Sequence, residues 1–308
     1  MLVMILGTLA SCDTERSTYS IATGGTAGLY YPYGGGMASI WSAQLGDINV
    51  KAEVTGGSVT NVIQVARKES ELGIAMADVV TSAYKGSGRF PEPLPLRVLF
   101  TAYPNIVHIL SLAESEFDGV ASLSGKRVSL GAAGSGTAVA AKNVLTSLGV
   151  DDVAPVYLNF AETTSALKDG TIDAGFVVGG LGLAAVTEIA VTRNLKLIPL
   201  TSADLVKLNQ EYPAYSGATI PASTYNGVDS DVQALGIWSV VVVHEDMPKD
   251  IARALTCTIY QHRESLLKIS AVAESMTVDN IRKLAAVPLH EGTIDYLKNT
   301  GLACGSRL

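Results

Sequence analysis

The chain has 308 residues, enough for about two domains at ~150 residues each and for a sizeable core. Lys and Arg total 22 against 29 Asp and Glu, a net charge of −7, and 17% of residues are charged while 48% are hydrophobic. That profile excludes a disordered chain, and an acidic balance with no dense Lys/Arg run argues against a nucleic-acid partner. No apolar run reaches the ~18 residues of a membrane-spanning helix.

Met1 to Ala10 is apolar and uncharged, and the chain turns polar from Ser11-Cys12-Asp13 onward. Such a stretch is too short for a bilayer but suits the apolar part of a secretory signal. Leu9-Ala10-Ser11-Cys12 resembles a bacterial lipobox, so residues 1–12 read as a lipoprotein signal cut before Cys12, which is then lipidated. By the same resemblance, Asp13 favours retention at the inner membrane. No Lys or Arg precedes the apolar run, which points to a translation start further upstream or a trimmed chain. Cys257 and Cys304 remain; they either bridge in an oxidising compartment or stay as two buried thiols.

In chain order, a short strand over 18–22 runs into Thr23-Gly24-Gly25-Thr26-Ala27-Gly28. A helix follows, with Met37, Ile40, Trp41 and Leu45 at helical spacing. Ile48, Val50, Ala52 and Val54 alternate as a half-buried strand that ends in Thr55-Gly56-Gly57-Ser58. Next come a helix through Val59, Val62, Ile63 and Ala66 and a strand over 72–76 that ends at Ala77-Asp78. Prolines at 91, 93 and 95 precede two strands, 96–102 and 106–112. The pattern then restarts: strand 127–130, the turn Gly131 to Thr137, a helix through Val139, Val144 and Leu148, strand 156–160, and a short helix ending at Gly170. Strand 174–178, Gly179-Gly180, a helix to about Arg193 and strand 195–200 complete a second α/β unit, and strand 237–243 returns toward the first. Pro248 is placed to open a C-terminal helix. Repeated β-α-β units imply parallel sheets covered by helices, with glycine turns at the strand ends where such folds bind ligands.

Several chemistries are excluded by spacing. Gly24, Gly25 and Gly28 do not form the dinucleotide pattern, no phosphate-binding Gly-Lys-Ser/Thr loop exists, and no serine has the Gly-x-Ser-x-Gly setting of a hydrolase nucleophile. His108, His244, His262 and His290 are far apart and lack metal spacing, so each reads as a surface or satisfied core residue. No cofactor is expected, nor an enzyme. The turns can bind an anion without chemistry, because helix N-termini offer unpaired N–H groups and the positive end of the dipole. Ser135-Gly136-Thr137 and Thr55-Gly56-Gly57-Ser58 are two such places; each is equally a tight turn with a capping serine. Tyr30-Tyr31-Pro32-Tyr33 concentrates phenols after the first turn, either lining a cleft or packing under the helix, the latter favoured for Tyr33. Asp78 either receives a ligand ammonium or caps the next helix.

These motifs in this order resemble the TAXI branch of substrate-binding proteins from TRAP (tripartite ATP-independent periplasmic) transporters. The resemblance runs through Thr23-Gly24-Gly25-Thr26, Tyr30-Tyr31-Pro32, Thr55 to Ser58 with Asn61, and Ala77-Asp78. It continues through Leu123 to Val128, Gly134 to Thr137, Gly170 to Ala174, Thr224 to Gly227, and Pro288 to Gly292 before Tyr296. It implies a two-lobed, type II periplasmic-binding-protein fold of class α/β, with two Rossmann-like parallel sheets joined by a hinge. Residues 13–105, completed by 244–308, would form lobe 1, and 106–243 lobe 2 with the hinge strands. The implied ligand is a small organic anion, such as glutamate, 2-oxoglutarate or a related dicarboxylate, captured by lobe closure and passed to an ion-gradient-driven TRAP membrane permease. A binding protein of an ABC importer or a sensor system is the alternative. The implied ligand residues are Thr23, Gly25, Tyr30, Tyr31, Ser58, Asp78, Ser135, Gly136, Thr137 and Gly180, and the implied location is the periplasm, with the membrane touched only through a lipid anchor. Leu181-Gly182 where many relatives place a proline, and Ala77 where many carry a polar residue, depart from the family pattern.

Overall fold

The computed structural model describes residues 16–282, 287–299 and Cys304. The expected signal and the lipidation site Cys12 lie outside the described residues. In chain order the elements are β1 (Ser17–Ala22), α1 (Tyr30–Gln44), β2 (Ile48–Glu53), α2 (Ser58–Ala66), β3 (Leu72–Met76), α3 (Ala77–Lys85), β4 (Leu96–Leu112), β5 (Arg127–Ser129), α4 (Gly136–Ser147) and β6 (Ala154–Val156). There follow α5 (Phe160–Lys168), β7 (Ala174–Gly179), α6 (Ala184–Thr192), β8 (Leu195–Leu197), α7 (Ser202–Glu211), β9 (Tyr215–Ile220), β10 (Val232–His244) and α8 (Lys249–Gln261). The short α9 (Arg263–Leu267), α10 (Val278–Arg282) and α11 (Glu291–Lys298) complete the chain.

Two parallel trios, β2-β1-β3 and β7-β5-β6, flank the antiparallel pair β10 and β4 in the order β2-β1-β3-β10-β4-β7-β5-β6. β9 pairs with β10 and β8 with β4, so hydrogen bonds run continuously through ten strands. The two long strands serve both lobes. β10 pairs with β9 over Val232–Ile237 and with β3 over Ser239–Val243, so it changes lobe at Trp238. Its register against β4 shifts just after Ser239, opposite Tyr103.

The Pro104-Asn105 pair, read from sequence as a break between two strands, lies inside the single 17-residue β4. β7 pairs with β4 only from Ile106 on, so Pro104 sits where that edge has no strand to lose a hydrogen bond to. The expected strand over 156–160 is also displaced: β6 ends at Val156, and α5 starts at Phe160 under a capping box of Asn159 and Glu162. α7 and β9 add to the expected elements; α7 has a capping box of Thr201 and Asp204, a Thr-x-x-Asp pattern present in the sequence.

Helices cover both faces of the sheet because each strand trio buries Val, Ile and Ala on both sides. Trp41, Met37 and Tyr33 of α1 are fully buried with Phe100 and Leu255 in one cluster, while Val62, Val79, Leu96, Val128 and Phe176 share another that crosses the long strands. Tyr33 packs edge-on to Tyr103, as expected for a phenol under the helix. Cys257 of α8 is bridged to Cys304, with Cα atoms 5.3 Å apart, which settles the two readings of those cysteines and ties the C-terminal segment to the core.

Candidate functional site

A cavity of about 330 Å3 lies at the carboxyl ends of β1, β2, β3 and β5, and the N-termini of α1, α2, α4 and α5 all border it. These N-termini meet in two pairs. At one, the amides of Val59 and Thr60 in α2 donate to the carbonyl of Gly134 just ahead of α4, at 3.1 and 3.3 Å. At the other, the turn before α1 lies against α5, where a Cβ on Gly28 would make ordinary contact with the Phe160 ring at 3.5 Å. After these contacts and the caps, the amides of Ser58, Gly136, Thr137, Phe160 and Ala161 have no acceptor among the described residues. First-turn amides have no intrahelical partner, and each helix start carries roughly half a positive charge.

The turns are held rigidly. Buried Asn61 donates from Nδ2 to the carbonyls of Thr23 and Ile74, at 2.6 and 2.7 Å, and its Oδ1 accepts from the Thr55 hydroxyl. That hydroxyl in turn accepts from the Gly57 amide at 3.0 Å. Gly57 caps α2 at φ 103°, in the region that favours glycine. Across the cleft, a Cβ at Gly136 would lie 2.6 Å from Met76 Sδ and 2.7 Å from Ser58 Oγ, so the two lobes approach here to a distance only glycine permits.

Six of the ten sequence-derived ligand residues line this cavity: Gly25, Tyr30, Ser58, Ser135, Gly136 and Thr137. Their side chains are not equally free. Ser135 Oγ donates to the Ala132 carbonyl at 2.6 Å and accepts from the Ala138 amide at 3.1 Å, so it is occupied as the cap of α4. Ser58 Oγ accepts from the Met76 amide at 3.1 Å. Thr137 is only 4% exposed, and its methyl faces Gly131. Its hydroxyl has no partner among the described residues and is left to the cavity. Thr137→Val is therefore expected to weaken anion binding about tenfold, by titration calorimetry, the effect of losing one charge-assisted hydrogen bond. Ser135→Ala should instead lower unfolding free energy by about 1 kcal/mol, read in urea, with a smaller effect on affinity.

Tyr30 reaches the hinge. Its Oη lies 2.6 Å from Ser239 Oγ, which also accepts from Asn105 Nδ2, and Asn105 donates to the Ile237 carbonyl at 3.1 Å. Burial pushes the Tyr30 phenol up to about 12, so it remains a neutral hydrogen-bonding group. A cavity residue is thus bonded to both strands that run between the lobes.

The other four expected residues are placed elsewhere. Thr23 is fully buried and donates to the Glu53 carbonyl. Tyr31 is 36% exposed, because one step along α1 turns it away from the face that carries Tyr30. Gly180 packs against Val272 and Leu29. Asp78, on the first turn of α3, borders a separate cavity of about 820 Å3 and accepts from Tyr215 Oη at 2.9 Å. Tyr103, Phe160 and Val178 line the candidate site but were not identified from sequence; for α5 the Asn-x-x-Glu cap was the available signal.

Three of the four histidines, His108, His244 and His290, hold structural hydrogen bonds. His108 Nδ1 donates to the Ile106 carbonyl at 3.0 Å, so its Nε2 accepts from Tyr225 Oη at 2.9 Å. Burial lowers His108 to about 4, keeping it neutral. Tyr225 Oη also accepts from the amides of Gly182 and Leu183, fixing the turn after Gly180. His290 caps α11. Among the described residues no group of His, Cys, Asp and Glu could hold a metal ion, and no helix is long and apolar enough to cross a membrane.

The fold is that of periplasmic binding proteins. MatC (Rpa3494) from Rhodopseudomonas palustris, solved with bound malate, matches with TM-score 0.60 and 12% identity over 92% of this chain and 97% of that one. The periplasmic binding protein BugD matches with TM-score 0.59 and 14% identity over 92% and 94%. A putative L-cystine ABC transporter from Listeria monocytogenes matches with TM-score 0.53 and 13% identity over 86% and 98%. At these identities the likeness is one of fold. At the level of sequence the NMT1-like family model matches residues 21–301, nearly the whole described chain, and the protein belongs to the NMT1-like family.

Proposed function

We propose that this protein is a periplasmic solute-binding protein that captures a small organic anion, of the dicarboxylate class, by closing its lobes. The observation that carries the reading is the meeting of four helix N-termini around one small cavity, with the unpartnered Thr137 hydroxyl among the free amides. At roughly half a positive charge each, four helix starts suit a dianion. Malate bound to MatC, a protein of the same fold, supports the same class. Closure would pivot where β10 changes partner near Trp238 and β4 passes Pro104, with 13–105 and 244–308 on one side and 106–243 on the other. The ligand favours the closed form only by its greater affinity for it, which here means donors drawn from both lobes.

The ordered TAXI motifs favour a TRAP permease as the receiver, with lipidation at Cys12 keeping the protein beside it. Thermal unfolding of the purified protein with a panel of carboxylates and neutral solutes tests the ligand class. A ligand at 100 times its dissociation constant adds about 2.7 kcal/mol, a rise of several degrees. A rise with dicarboxylates and none with neutral solutes is expected; the reverse overturns the reading. In vesicles carrying the cognate permease, uptake driven by an ion gradient without ATP is expected. An ATP requirement would assign the protein to an ABC importer instead.

A further inference from the structure

We propose that the ligand of this cleft carries no amino group: it is a plain, oxo- or hydroxy-dicarboxylate rather than an amino acid. The inference rests on reading the cleft as an anion site and narrows the ligand within it. An ammonium brings three donors and no acceptor, so a buried one needs carboxylates or free carbonyls around it. Among the described residues lining the cavity none is charged.

Four carbonyls of its turns are already occupied. Gly25 O accepts from the Gly28 amide, and Ala132 O accepts from the Ser135 amide and hydroxyl. Gly134 O takes the amides of Val59 and Thr60, and Gly57 O that of Asn61. The helix starts turn amide donors and the Thr137 hydroxyl toward the ligand, with Met76, Val178 and the ring of Tyr103 beside them. Carboxylates, an oxo group and methylenes all fit such a wall. An ammonium would meet donors of its own sign of polarity at both helix pairs.

Asp78, the acid that sequence position offers to an ammonium, follows cavity-lining Met76 by two residues, yet it belongs to the other cavity and accepts from Tyr215.

Titration calorimetry on the full protein with length-matched pairs tests the inference: 2-oxoglutarate against L-glutamate, and succinate and malate against L-aspartate. The acid without nitrogen is expected to bind at least tenfold more tightly in whichever pair binds, and Asp78→Asn is expected to leave that ratio unchanged. An amino acid binding within tenfold of its partner, or a ratio that shifts in Asp78→Asn, overturns the inference while leaving the anion reading intact. No binding by any of these acids overturns both.

Discussion

Gly136→Ala is expected to weaken ligand binding by about a hundredfold while leaving the melting temperature of the ligand-free protein unchanged or slightly raised. The first residue of α4 has ordinary helical geometry, and alanine suits a helix better than glycine, so the lobe that contains it loses nothing. The cost falls on the approach of the lobes. A Cβ there would meet Met76 Sδ at 2.6 Å and Ser58 Oγ at 2.7 Å, with Ser58 Cβ behind them at 3.1 Å. The Met76 thioether can swing aside, but Ser58 can turn only by releasing the Met76 amide that it accepts. Overpacking of this kind costs about 1–3 kcal/mol, and two clashes at one atom place it near the upper end, about a hundredfold in affinity. Calorimetric titration beside a thermal melt without ligand separates the two effects. Unchanged affinity would mean that binding does not use the close contact of α2 and α4.

The glycine turns were legible because their requirements are local. A strand, a run of Gly and Ser, and a helical period are enough to place Ser58 and Gly136–Thr137 at helix starts facing a sheet edge. Three of the four helix starts around the cavity were found this way. The fourth helix was expected, but its start was not placed at the cavity because Tyr157 to Phe160 reads as strand by its aromatic content, while the Asn159–Glu162 cap decides the matter in favour of helix. The hinge was misread for a similar reason: Pro104-Asn105 is a turn signal, and only the absence of a neighbouring strand before Ile106 lets it stay extended. Which side chains are free was not legible at all. Ser135 and Thr137 look alike as ligand hydroxyls, yet the first is consumed by Ala132 and Ala138 and the second is left open by the turn at Gly131. Asp78 was read as ending a strand, but β3 ends at Met76 and Asp78 stands in the first turn of α3, where the face on which it emerges depends on how α3 packs near Tyr215, which no local pattern encodes.

Asp78 also carries the second large expectation: between about pH 4 and pH 6 its contribution to stability should fall by about 2–3 kcal/mol as pH rises, so the difference between the protein and Asp78→Asn should change by that amount. Burial raises the Asp78 carboxyl from 3.8 to about 6, against the opposing hydrogen bond from Tyr215 and the amides at the start of α3. Asp78 is 6% exposed, and its Oδ1 has no hydrogen-bond partner. In that window the folded protein keeps a proton that the unfolded chain has released, so it binds more protons, and unfolding free energy falls with rising pH until the folded carboxyl has ionised. A carboxyl raised from 3.8 to about 6 changes the folding free energy by about 1.4 kcal/mol per pH unit across that interval, which gives the loss of about 2–3 kcal/mol. Urea unfolding of both proteins at pH 4 and pH 7 isolates the effect, since every other carboxylate titrates in both and cancels in the difference. Parallel pH profiles would show that Asp78 ionises as freely as in the unfolded chain. A buried acid kept at such a cost has a structural role: Tyr215 Oη donates to it while accepting from Asn143 Nδ2 of α4 at 2.8 Å, so the chain Asp78–Tyr215–Asn143 joins the α3 side of the cleft to the α4 side. Parting the lobes would break that chain and hydrate the carboxylate, so at neutral pH the ionised Asp78 favours opening. On the proposed reading, the ligand's contacts with α1, α2, α4 and α5 would have to outweigh that preference, which would make release as well as capture a property of the same closed contact.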